Sequence, residues 1–489
     1  MRVLQVSAEL FPLLKTGGLA DVTGALPAAL TRQGCELRLL LPGLPAILEG
    51  VQSSPRASLP LRSPWGGQHG IRIGQWNGHV TYLVEAPELY GRGGNPYVDA
   101  AGLPHADSAR RFALLGHAAA QLASGLDPQW RPGLVHAHDW HAGLAPAALH
   151  FQRLRGETTA ASVFTVHNLA YQGLFPAPSF SDLGLPPTAF QLQGLEYFGQ
   201  VSFMKAGLQY ADRLTTVSPS YALEMQTPEQ GCGLDGLLRQ RAPVLTGILN
   251  GVDPLVWDPA RDSYLDAPFD AAHLGLRGAN KAALQAEVGL AERPGALLFG
   301  VVSRLTEQKG LHLLLDGLGL LLQHGGQLVV LGSGEPALEA AFAQAARQHP
   351  QSVALRLGFD ERRSHRVFAG ADSILVPSRF EPCGLTQLYG LAYGCLPLVH
   401  RVGGLADTVA DCTLENLADD SATGFVFDRF TRDAFCAALR RAFALQAQPA
   451  QWQRAQQAAM RRRFDWDHAA AQYLHVYRAA TAAAAASST

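Results

Sequence analysis

Short apolar runs alternate with stretches of helical periodicity along most of the chain. The pattern begins with a strand over Arg2–Ser7, a helix over Asp21–Arg32 and a second strand in ELRLLLP. A second series of the same kind starts at FGVVSRL and runs through QLVVLGSG, VALRLGF, SILVPS and PLVHR. Strands that alternate with helices are typical of parallel sheets covered on both faces. The pattern therefore predicts an α/β protein with two doubly wound domains around a cleft.

One segment between the two series has no periodicity. Ile248–Asp262 contains an Asn-Gly step and Asp-Pro turns, which are typical of loops. We interpret it as the hinge between the two domains. Farther along, the periodicity predicts a helical stretch over Gln453–Arg478, and the low-complexity tail AATAAAAASST is expected to fray.

The composition narrows the function classes. A length of 489 residues exceeds what one hydrophobic core serves, and a net charge of −2 provides no general attraction to nucleic acid. The six cysteines form no Cys-x-x-Cys pair, so a zinc knuckle is not indicated. No apolar run reaches membrane-spanning length, and no signal segment precedes the first strand. We expect a cytoplasmic protein that binds neither nucleic acid nor membrane.

The strongest candidate for a ligand-binding turn is Ser378–Gly390, SRFEPCGLTQLYG. The apolar ADSILVPS before it predicts a buried strand, and TQLYGLAYG after it has helical periodicity. Ligands of open α/β sheets bind outside the carboxyl ends of the strands, where such turns lie. Glu381 lies in this turn, Gly384 lets the backbone approach a ligand closely, and the next amides point out of a helix N-terminus.

Two cations lie in another strand-to-helix turn, SRLTEQKG. Arg304 and Lys309 are five residues apart there. Charge-assisted hydrogen bonds from such groups contribute roughly 1.5–3 kcal/mol each. Lys309 is also one of only four lysines in the chain. The pair is therefore predicted to grip a diphosphate.

The first domain opens with a glycine turn. Lys15, Gly17 and Gly18 lie between the first strand and the first helix, which is the layout of a phosphate-binding corner. The chain contains neither GxGxxG nor GxxxxGK[ST], so the signatures of dinucleotide-binding proteins and of P-loop NTPases do not apply.

Two later segments of the first domain suit a sugar. The long loop Glu88–Asp107 is rich in Gly and Pro, and its Tyr97 suits contact with a saccharide. The strand SVFTVHN brings His167 and Asn168 to its carboxyl end.

A metal-dependent hydrolase is an alternative, because HAHDWH (His136–His141) is rich in possible ligands. Dinuclear hydrolases of the metallo-β-lactamase type use HxHxDH, whereas the Asp here comes one residue early. The spacing favours polar groups that face a sugar or bond within the protein, without a metal.

Taken together, the motifs resemble those of the bacterial and plant glycogen and starch synthase family. The matching stretches are KTGGLADV, HAHDWHAGL, TVHNLAYQG, ILNGVD, SRLTEQKG, SRFEPCGLTQLYGL and GGLADT, in the same order over almost the whole chain. The resemblance implies a GT-B fold, with two Rossmann-like domains and a deep cleft. Domain 1–247 would serve the acceptor and part of the donor, domain 248–465 the nucleotide sugar, and a helix with an Ala-rich tail, 466–489, would pack back on the first domain.

The resemblance also implies an activity. Members transfer glucose from ADP-glucose to the non-reducing 4-OH end of an α-1,4-glucan, with retention of configuration and release of ADP, in glycogen biosynthesis. The expected partners are therefore ADP-glucose and a glycogen-like acceptor, and no cofactor or metal is expected.

Site residues follow from the resemblance motif by motif. The implied catalytic residues are Glu381, His167, Arg304, Lys309 and Asp139. The implied nucleotide-sugar contacts are Lys15, Gly17, Gly18, Asp21, Asn250, Phe359, Cys383, Gly384, Leu385 and Thr386. Tyr97 and Asn168 are the expected acceptor contacts. Glu381 would hold the glucosyl hydroxyls, and the backbone carbonyl of His167 would face the positive charge that develops at the anomeric carbon.

Two positions depart from the family pattern. Many retaining GT-B enzymes carry a second Glu eight residues after the first, and here that position is Tyr389. Phe359 stands where related synthases carry a Tyr beside the adenine, so stacking is retained and a hydroxyl is lost. A non-catalytic glucan-binding protein with the same fold is the remaining alternative, and the joint presence of Glu381, Arg304 and Lys309 argues against it.

Overall fold

Two sheets organise the chain, one in each of two units. The structure is a computed structural model that describes residues 1–53 and 58–486. Unit 1 is Met1–Gly251 with Trp466–Thr489, and unit 2 is Val252–Asp465. The chain thus enters unit 2 inside the predicted hinge segment, a few residues after the expected boundary, and leaves it at Asp465.

The sheet of unit 1 has a parallel core and an antiparallel edge. Its strand order is β13-β12-β8-β7-β1-β2-β6-β5-β3, with β4 paired to β5, and β10-β11-β9 form a small separate sheet. The strands are β1 (Arg2–Val6), β2 (Glu36–Pro42), β3 (Gln52–Ser53), β4 (Leu59–Leu61), β5 (His69–Trp76), β6 (His79–Glu85), β7 (Leu134–His138), β8 (Ala161–Val166), β9 (Leu174–Pro176), β10 (Glu196–Tyr197), β11 (Gln200–Ser202), β12 (Arg213–Thr216) and β13 (Leu245–Gly247). Because the central strands are buried on both faces, they read as the apolar runs that predicted them.

Helices cover this sheet. They are α1 (Gly18–Arg32), α2 (Pro45–Gly50), α3 (Pro87–Tyr90), α4 (Ser108–Ala123), α5 (Asp139–Ala142), α6 (Leu144–Leu154), α7 (Phe203–Tyr210), α8 (Pro219–Glu224) and α9 (Asp235–Gln240), with 3₁₀ turns at Ala177–Leu183, Pro187–Ala189 and Ala242–Val244. The loop expected over Glu88–Asp107 is irregular except for α3 at its start.

Unit 2 has a fully parallel sheet of order β16-β15-β14-β17-β18-β19. The strands are β14 (Leu298–Val302), β15 (Gln327–Leu331), β16 (Val353–Arg356), β17 (Ser373–Val376), β18 (Leu396–His400) and β19 (Phe425–Phe427). The helices are α10 (Arg277–Val288), α11 (Leu311–Gln323), α12 (Pro336–Gln348), α13 (Glu361–Gly370), α14 (Thr386–Ala392), α15 (Gly403–Thr408), α16 (Leu414–Ala418), α17 (Arg432–Gln446) and α18 (Pro449–Arg461), with 3₁₀ turns at Leu274–Leu276 and Glu307–Lys309. The alternation of strands and helices confirms the predicted pair of doubly wound sheets.

The core of unit 2 lies on both faces of its sheet. Phe299 and Val301 of β14 pack into one hydrophobic cluster, and Leu298 of the same strand packs into the other. Successive strand residues point to opposite faces, so two apolar layers sandwich the sheet.

The helical stretch predicted over Gln453–Arg478 is wrong, because the chain forms two helices there. Helix α18 ends at Arg461, and α19 (Trp466–Ala486) begins after a break. In the break, the Val252 amide donates to the Phe464 carbonyl at 2.6 Å. The Phe464 carbonyl thus accepts a hydrogen bond from the start of unit 2 and not one from within a helix. Helix α19 packs on α1 and β8 of unit 1, and most of the Ala-rich tail is helical. The last tail residues, 487–489, lie outside the described residues.

Over residues 1–53 and 58–486, none of the helices has the length and apolar character that a bilayer crossing requires.

Candidate active site

Several of the predicted site residues follow the strands at which the strand order of each sheet reverses. The order reverses between β14 and β17 in unit 2, and between β1 and β7 in unit 1. Ligands of open α/β sheets bind at such points. Arg304 and Lys309 follow β14, and Glu381 follows β17. In unit 1, Lys15 follows β1 and Asp139 follows β7.

Glu381 is a buried carboxylate held at one oxygen. The residue is 6% exposed. Its Oε2 accepts hydrogen bonds from Lys309 Nζ at 2.6 Å and from Ser378 Oγ at 2.8 Å. Its Oε1 accepts none from the residues that the structure describes. The carboxylate is thus fixed in place with one oxygen open to a ligand.

The loops that carry Lys309 and Glu381 are bonded to each other. The Arg379 amide donates to the Gln308 carbonyl at 2.8 Å. Gly310 has φ +65°, and a Cβ there would lie 1.9 Å from the Pro377 carbonyl oxygen. Glycine is therefore required at residue 310 for the two loops to meet.

The predicted ligand-binding turn lies between β17 and α14. Gly384 has φ +73°, and the Gln387 Nε2 donates to the carbonyls of Cys383 and Gly384 at 2.9 and 2.8 Å. Leu385 is the N-cap of α14, and Thr386 Oγ1 donates to the Val302 carbonyl at 3.2 Å. These bonds fix the backbone of the turn from its inner side.

Sequence reasoning did not recognise what Gly403 and Gly404 do. They open α15, and a Cβ at either position would lie 2.1 Å from a carbonyl oxygen, of Glu381 and of Cys383 respectively. The Gly404 amide donates to the Glu381 carbonyl at 3.2 Å. The glycine pair therefore braces the Glu381 loop from behind, which only the tertiary structure reveals.

The predicted catalytic residue Arg304 and the predicted nucleotide-sugar contact Phe359 lie at the surface of unit 2. Arg304 is exposed on the loop after β14, and Phe359 is 68% exposed in the segment between β16 and α13. An exposed aromatic ring at a strand end suits stacking on a flat base.

In unit 1, Asp139 organises the peptide that follows β8. Its Oδ1 accepts the His167 amide at 2.8 Å, and the Asn168 amide also bonds to its carboxylate. Burial raises the pKa of Asp139 to about 7, although these amides lower it in part. The Asn168 side chain accepts the Ala170 amide at 3.1 Å and so stabilises the turn beyond.

The histidines of HAHDWH are buried, and burial lowers the pKa of each one. Burial lowers the pKa of His136 to about 3, and its ring nitrogens lie 2.7 Å from the Tyr477 hydroxyl and 2.6 Å from the Thr165 hydroxyl. His138 Nδ1 lies 3.0 Å from His167 Nε2. The pKa of His167 is also lowered to about 3 by burial.

These contacts bear on the metal-hydrolase alternative. Three of the cluster's side chains bond to groups outside it: His136 to two hydroxyls, His138 to His167, and Asp139 to a backbone amide. Within the described part of the chain, no group of three or more His, Cys, Asp or Glu side chains is arranged to hold a metal ion.

The predicted glycine turn of unit 1 carries an ion pair. Lys15 Nζ lies 2.8 Å from Asp21 Oδ1, and Gly17 is the N-cap of α1, which begins at Gly18. Asn250, near the end of unit 1, is buried, and its Oδ1 accepts no hydrogen bond from the described residues.

Sequence reasoning missed Glu9, a buried acid that contacts the predicted acceptor residue Tyr97. Glu9 is 2% exposed, and it accepts hydrogen bonds from the Thr16 amide at 2.7 Å and from the Tyr97 hydroxyl. The Tyr97 ring stacks on His141 with 4.9 Å between ring centroids. Glu9 therefore ties the predicted sugar loop to the Lys15 turn. The available signal was an acid three residues after the buried parallel strand β1.

Each unit matches a known protein family. The starch synthase catalytic domain matches residues 2–240, and the family of group 1 glycosyl transferases matches residues 286–459.

Relatives that match nearly the whole chain are glycogen synthases. The glycogen synthase of Variovorax paradoxus is 61% identical, covering 98% of this chain and 99% of that protein. That of Albidiferax ferrireducens is 55% identical over the same shares. Among solved structures, the catalytic domain of starch synthase IV from Arabidopsis thaliana, bound to ADP and acarbose, superposes with a TM-score of 0.88 at 30% identity, covering 98% of this chain and 99% of that one.

Proposed function

The chain belongs to the glycogen and starch synthase family of glycosyltransferases, and on that premise we propose that ADP-glucose is its donor and that it retains the anomeric configuration. The chain has the GT-B fold of that family. Glucose would pass to the non-reducing 4-OH of an α-1,4-glucan. The bond from the anomeric carbon to the diphosphate oxygen breaks, the bond to the acceptor O4 forms, and the 4-OH proton leaves with ADP or solvent.

The observation that supports this proposal most is the Lys309–Glu381 pair at the sheet switch point of unit 2. Glycosyl transfer passes through an oxocarbenium-like state and leaves negative charge on phosphate, so a protein must stabilise both ends. A buried carboxylate with one open oxygen suits the sugar, and cations beside it suit the phosphate.

We assign the unit 2 residues accordingly. The open Oε1 of Glu381 would accept glucosyl hydroxyls, and the amides of Cys383–Thr386 would face the donor at the N-terminal end of α14. Arg304 and Lys309 would offset the charge on the leaving diphosphate. Since Lys309 already bonds to Glu381, it would also hold that carboxylate in its reactive position.

The roles that we propose for the unit 1 residues start from the peptide group between His167 and Asn168. The His167 carbonyl and the Asn168 amide belong to one peptide group. Asp139 accepts that amide, so in a trans peptide the carbonyl points away from Asp139. We propose that this carbonyl faces the anomeric carbon, that Lys15 with its glycine turn contacts the donor, and that Tyr97 and Asn168 lie on the acceptor side.

Donor choice and stereochemistry are tested together. Wild-type protein is given labelled ADP-glucose or UDP-glucose with glycogen, and the labelled product is digested with an exo-acting enzyme specific for α-1,4 linkages. We expect label in glycogen mainly from ADP-glucose and full release by the digestion. Equal use of UDP-glucose would overturn the donor assignment, resistant label would overturn retention, and no transfer from either donor would favour the non-catalytic alternative. The expected cytoplasmic location stays a prediction.

A further inference from the structure

The first residues of unit 2 contribute a buried tryptophan to the helix that follows the Glu381 loop. Trp257 is 8% exposed and lies shortly after the point at which the chain enters unit 2. It belongs to the hydrophobic cluster on one face of the sheet, which also contains Phe368 and Tyr393.

Trp257 is the middle ring of three that lie nearly parallel, here called the aromatic stack. Its ring centroid is 3.8 Å from that of His365, at an interplanar angle of 8°, and 3.8 Å from that of Tyr389, at 11°. His365 lies on α13 and Tyr389 on α14, so the stack joins the entry segment of unit 2 to two helices.

The outer ring at His365 is held by acidic groups. His365 Nδ1 lies 2.7 Å from Asp262 Oδ2, which also accepts the Tyr393 hydroxyl at 2.6 Å. Glu361 lies 3.6 Å from Nε2, and the Tyr264 ring meets the imidazole edge-on. Burial lowers the pKa of His365, but Asp262 and Glu361 outweigh it and the net shift is upward.

The other outer ring, Tyr389, stands at the position of the second Glu in many retaining GT-B enzymes. Here its ring stacks on Trp257 and meets Phe368 edge-on, so it packs against the hydrophobic cluster of unit 2. It lies in the first turn of α14, next to Leu388, which packs into the cluster on the opposite face of the sheet. The stack is therefore the contact that fixes the start of α14 on the Trp257 side.

We propose that Trp257 is a positioning residue for the transfer reaction: its stack with His365 and Tyr389 fixes the N-terminal end of α14 and, through it, the loop that carries Glu381. This inference rests on the proposed function, because it treats that loop as the donor site. Displacing a reacting group by about 1 Å costs on the order of a hundredfold in rate. Loosening α14 should accordingly lower kcat more than it changes KM.

The test compares Trp257→Leu with Trp452→Leu. Trp452 is also 8% exposed, lies in unit 2, and packs on Phe425 outside the stack. We expect both variants to lose stability. Only Trp257→Leu should lower kcat, by about tenfold or more, with KM for donor and glucan changed less than about twofold.

Amide hydrogen exchange supplies a readout that does not depend on activity. In Trp257→Leu, exchange over residues 378–386 should accelerate by about tenfold or more, while Trp452→Leu should leave it near the wild-type rate. If Trp257→Leu does not fold, Tyr389→Leu should reproduce both effects.

The outcomes separate this inference from the proposed function. Wild-type kcat and exchange rates in folded Trp257→Leu or Tyr389→Leu would overturn it, as would equal effects in Trp452→Leu. If the wild-type protein transfers no glucose from ADP-glucose, the proposed function fails, yet the exchange rates still decide whether the stack holds the loop.

Discussion

At the scale of single residues, the proposed mechanism depends on the salt bridge between Lys309 and Glu381, because it uses one acid where glycosidases use two. The two side chains are 18% and 8% exposed, so little water screens them. Removing one partner of such a buried pair leaves an uncompensated charge, at a cost of about 3–5 kcal/mol. A diphosphate is already a good leaving group, so in the proposed mechanism cations would replace a general acid.

Glu381→Gln tests the role of the carboxylate. Because Glu381 would orient the glucosyl ring where charge develops, we expect kcat to fall by at least about a hundredfold, with a much smaller change in donor KM. Steady-state kinetics measures both. The matched control is Glu307→Gln, which changes an acid on the same loop as Lys309 that is 71% exposed and should leave kcat unchanged. Near-normal turnover in Glu381→Gln would remove the residue from the mechanism.

Asp139 gives a prediction with a definite pH direction. Burial raises its pKa from 3.8 to about 7 in the folded protein. Between about pH 4 and pH 7 the unfolded chain releases this proton and the folded chain keeps it, so stability declines as pH rises, by up to about 1.4 kcal/mol per pH unit.

Asp139→Asn removes this titration. We expect the free energy of unfolding of the variant, relative to wild type, to improve steadily from about pH 4 to pH 7 and to level off above, as measured by urea denaturation. A difference that does not vary with pH would show that Asp139 ionises normally in the folded protein.

At the scale of elements, glycine contacts between loops assemble the site. Gly310 brings the Lys309 loop against Pro377, and Gly403 with Gly404 brings α15 against the Glu381 loop. These positions place backbone on backbone, which a Cβ would prevent.

Gly310→Ala tests this arrangement. Residue 310 has φ +65° and a Cβ would lie 1.9 Å from a backbone oxygen, so we expect a loss of stability of about 1–3 kcal/mol and at least about a tenfold loss of kcat. The control is Gly319→Ala in α11, where a Cβ meets nothing within 4 Å and should stabilise by about 0.5–1 kcal/mol. Equal behaviour of the two variants would contradict the account.

Secondary-structure elements were predicted from the sequence better than tertiary contacts were. Strands such as β14 and β17 were recognisable because burial on both faces demands continuous apolar runs. The break at Arg462–Asp465 was missed because its cause is a bond to Val252, distant in the sequence. Glu9 was missed for a related reason, since its partners Thr16 and Tyr97 meet only in the folded chain.

At the scale of the whole molecule, the C-terminal helix α19 belongs to unit 1, although unit 2 separates it in sequence from the rest of that unit. Helix α19 returns to pack on α1, and Arg32 pairs with Asp467 at 2.8 Å. Deeper inside, the Tyr477 hydroxyl lies 2.7 Å from His136 Nδ1, on β7. The C-terminal helix therefore stabilises the strand that leads into Asp139.

Tyr477→Phe measures that link. The variant leaves a buried ring nitrogen of His136 without its partner, which should cost about 1–3 kcal/mol of the free energy of unfolding of unit 1. Urea denaturation followed by hydrogen exchange in β7 reports it. Tyr264→Phe, which changes a tyrosine that is 40% exposed in unit 2, is the control. An unchanged stability in Tyr477→Phe would mean that α19 is held by other contacts alone.

In the proposed mechanism, the chain's own cations offset the charge on the leaving diphosphate. Labelled glucose transfer from ADP-glucose to glycogen, after exhaustive dialysis against EDTA, tests it with wild type and Lys309→Ala side by side. We predict full activity of the dialysed wild type and a loss of about 10²–10³ in kcat for Lys309→Ala, by analogy with removing one oxyanion donor. Activity that vanishes with chelator and returns with zinc or manganese, or normal turnover of Lys309→Ala, would contradict the claim.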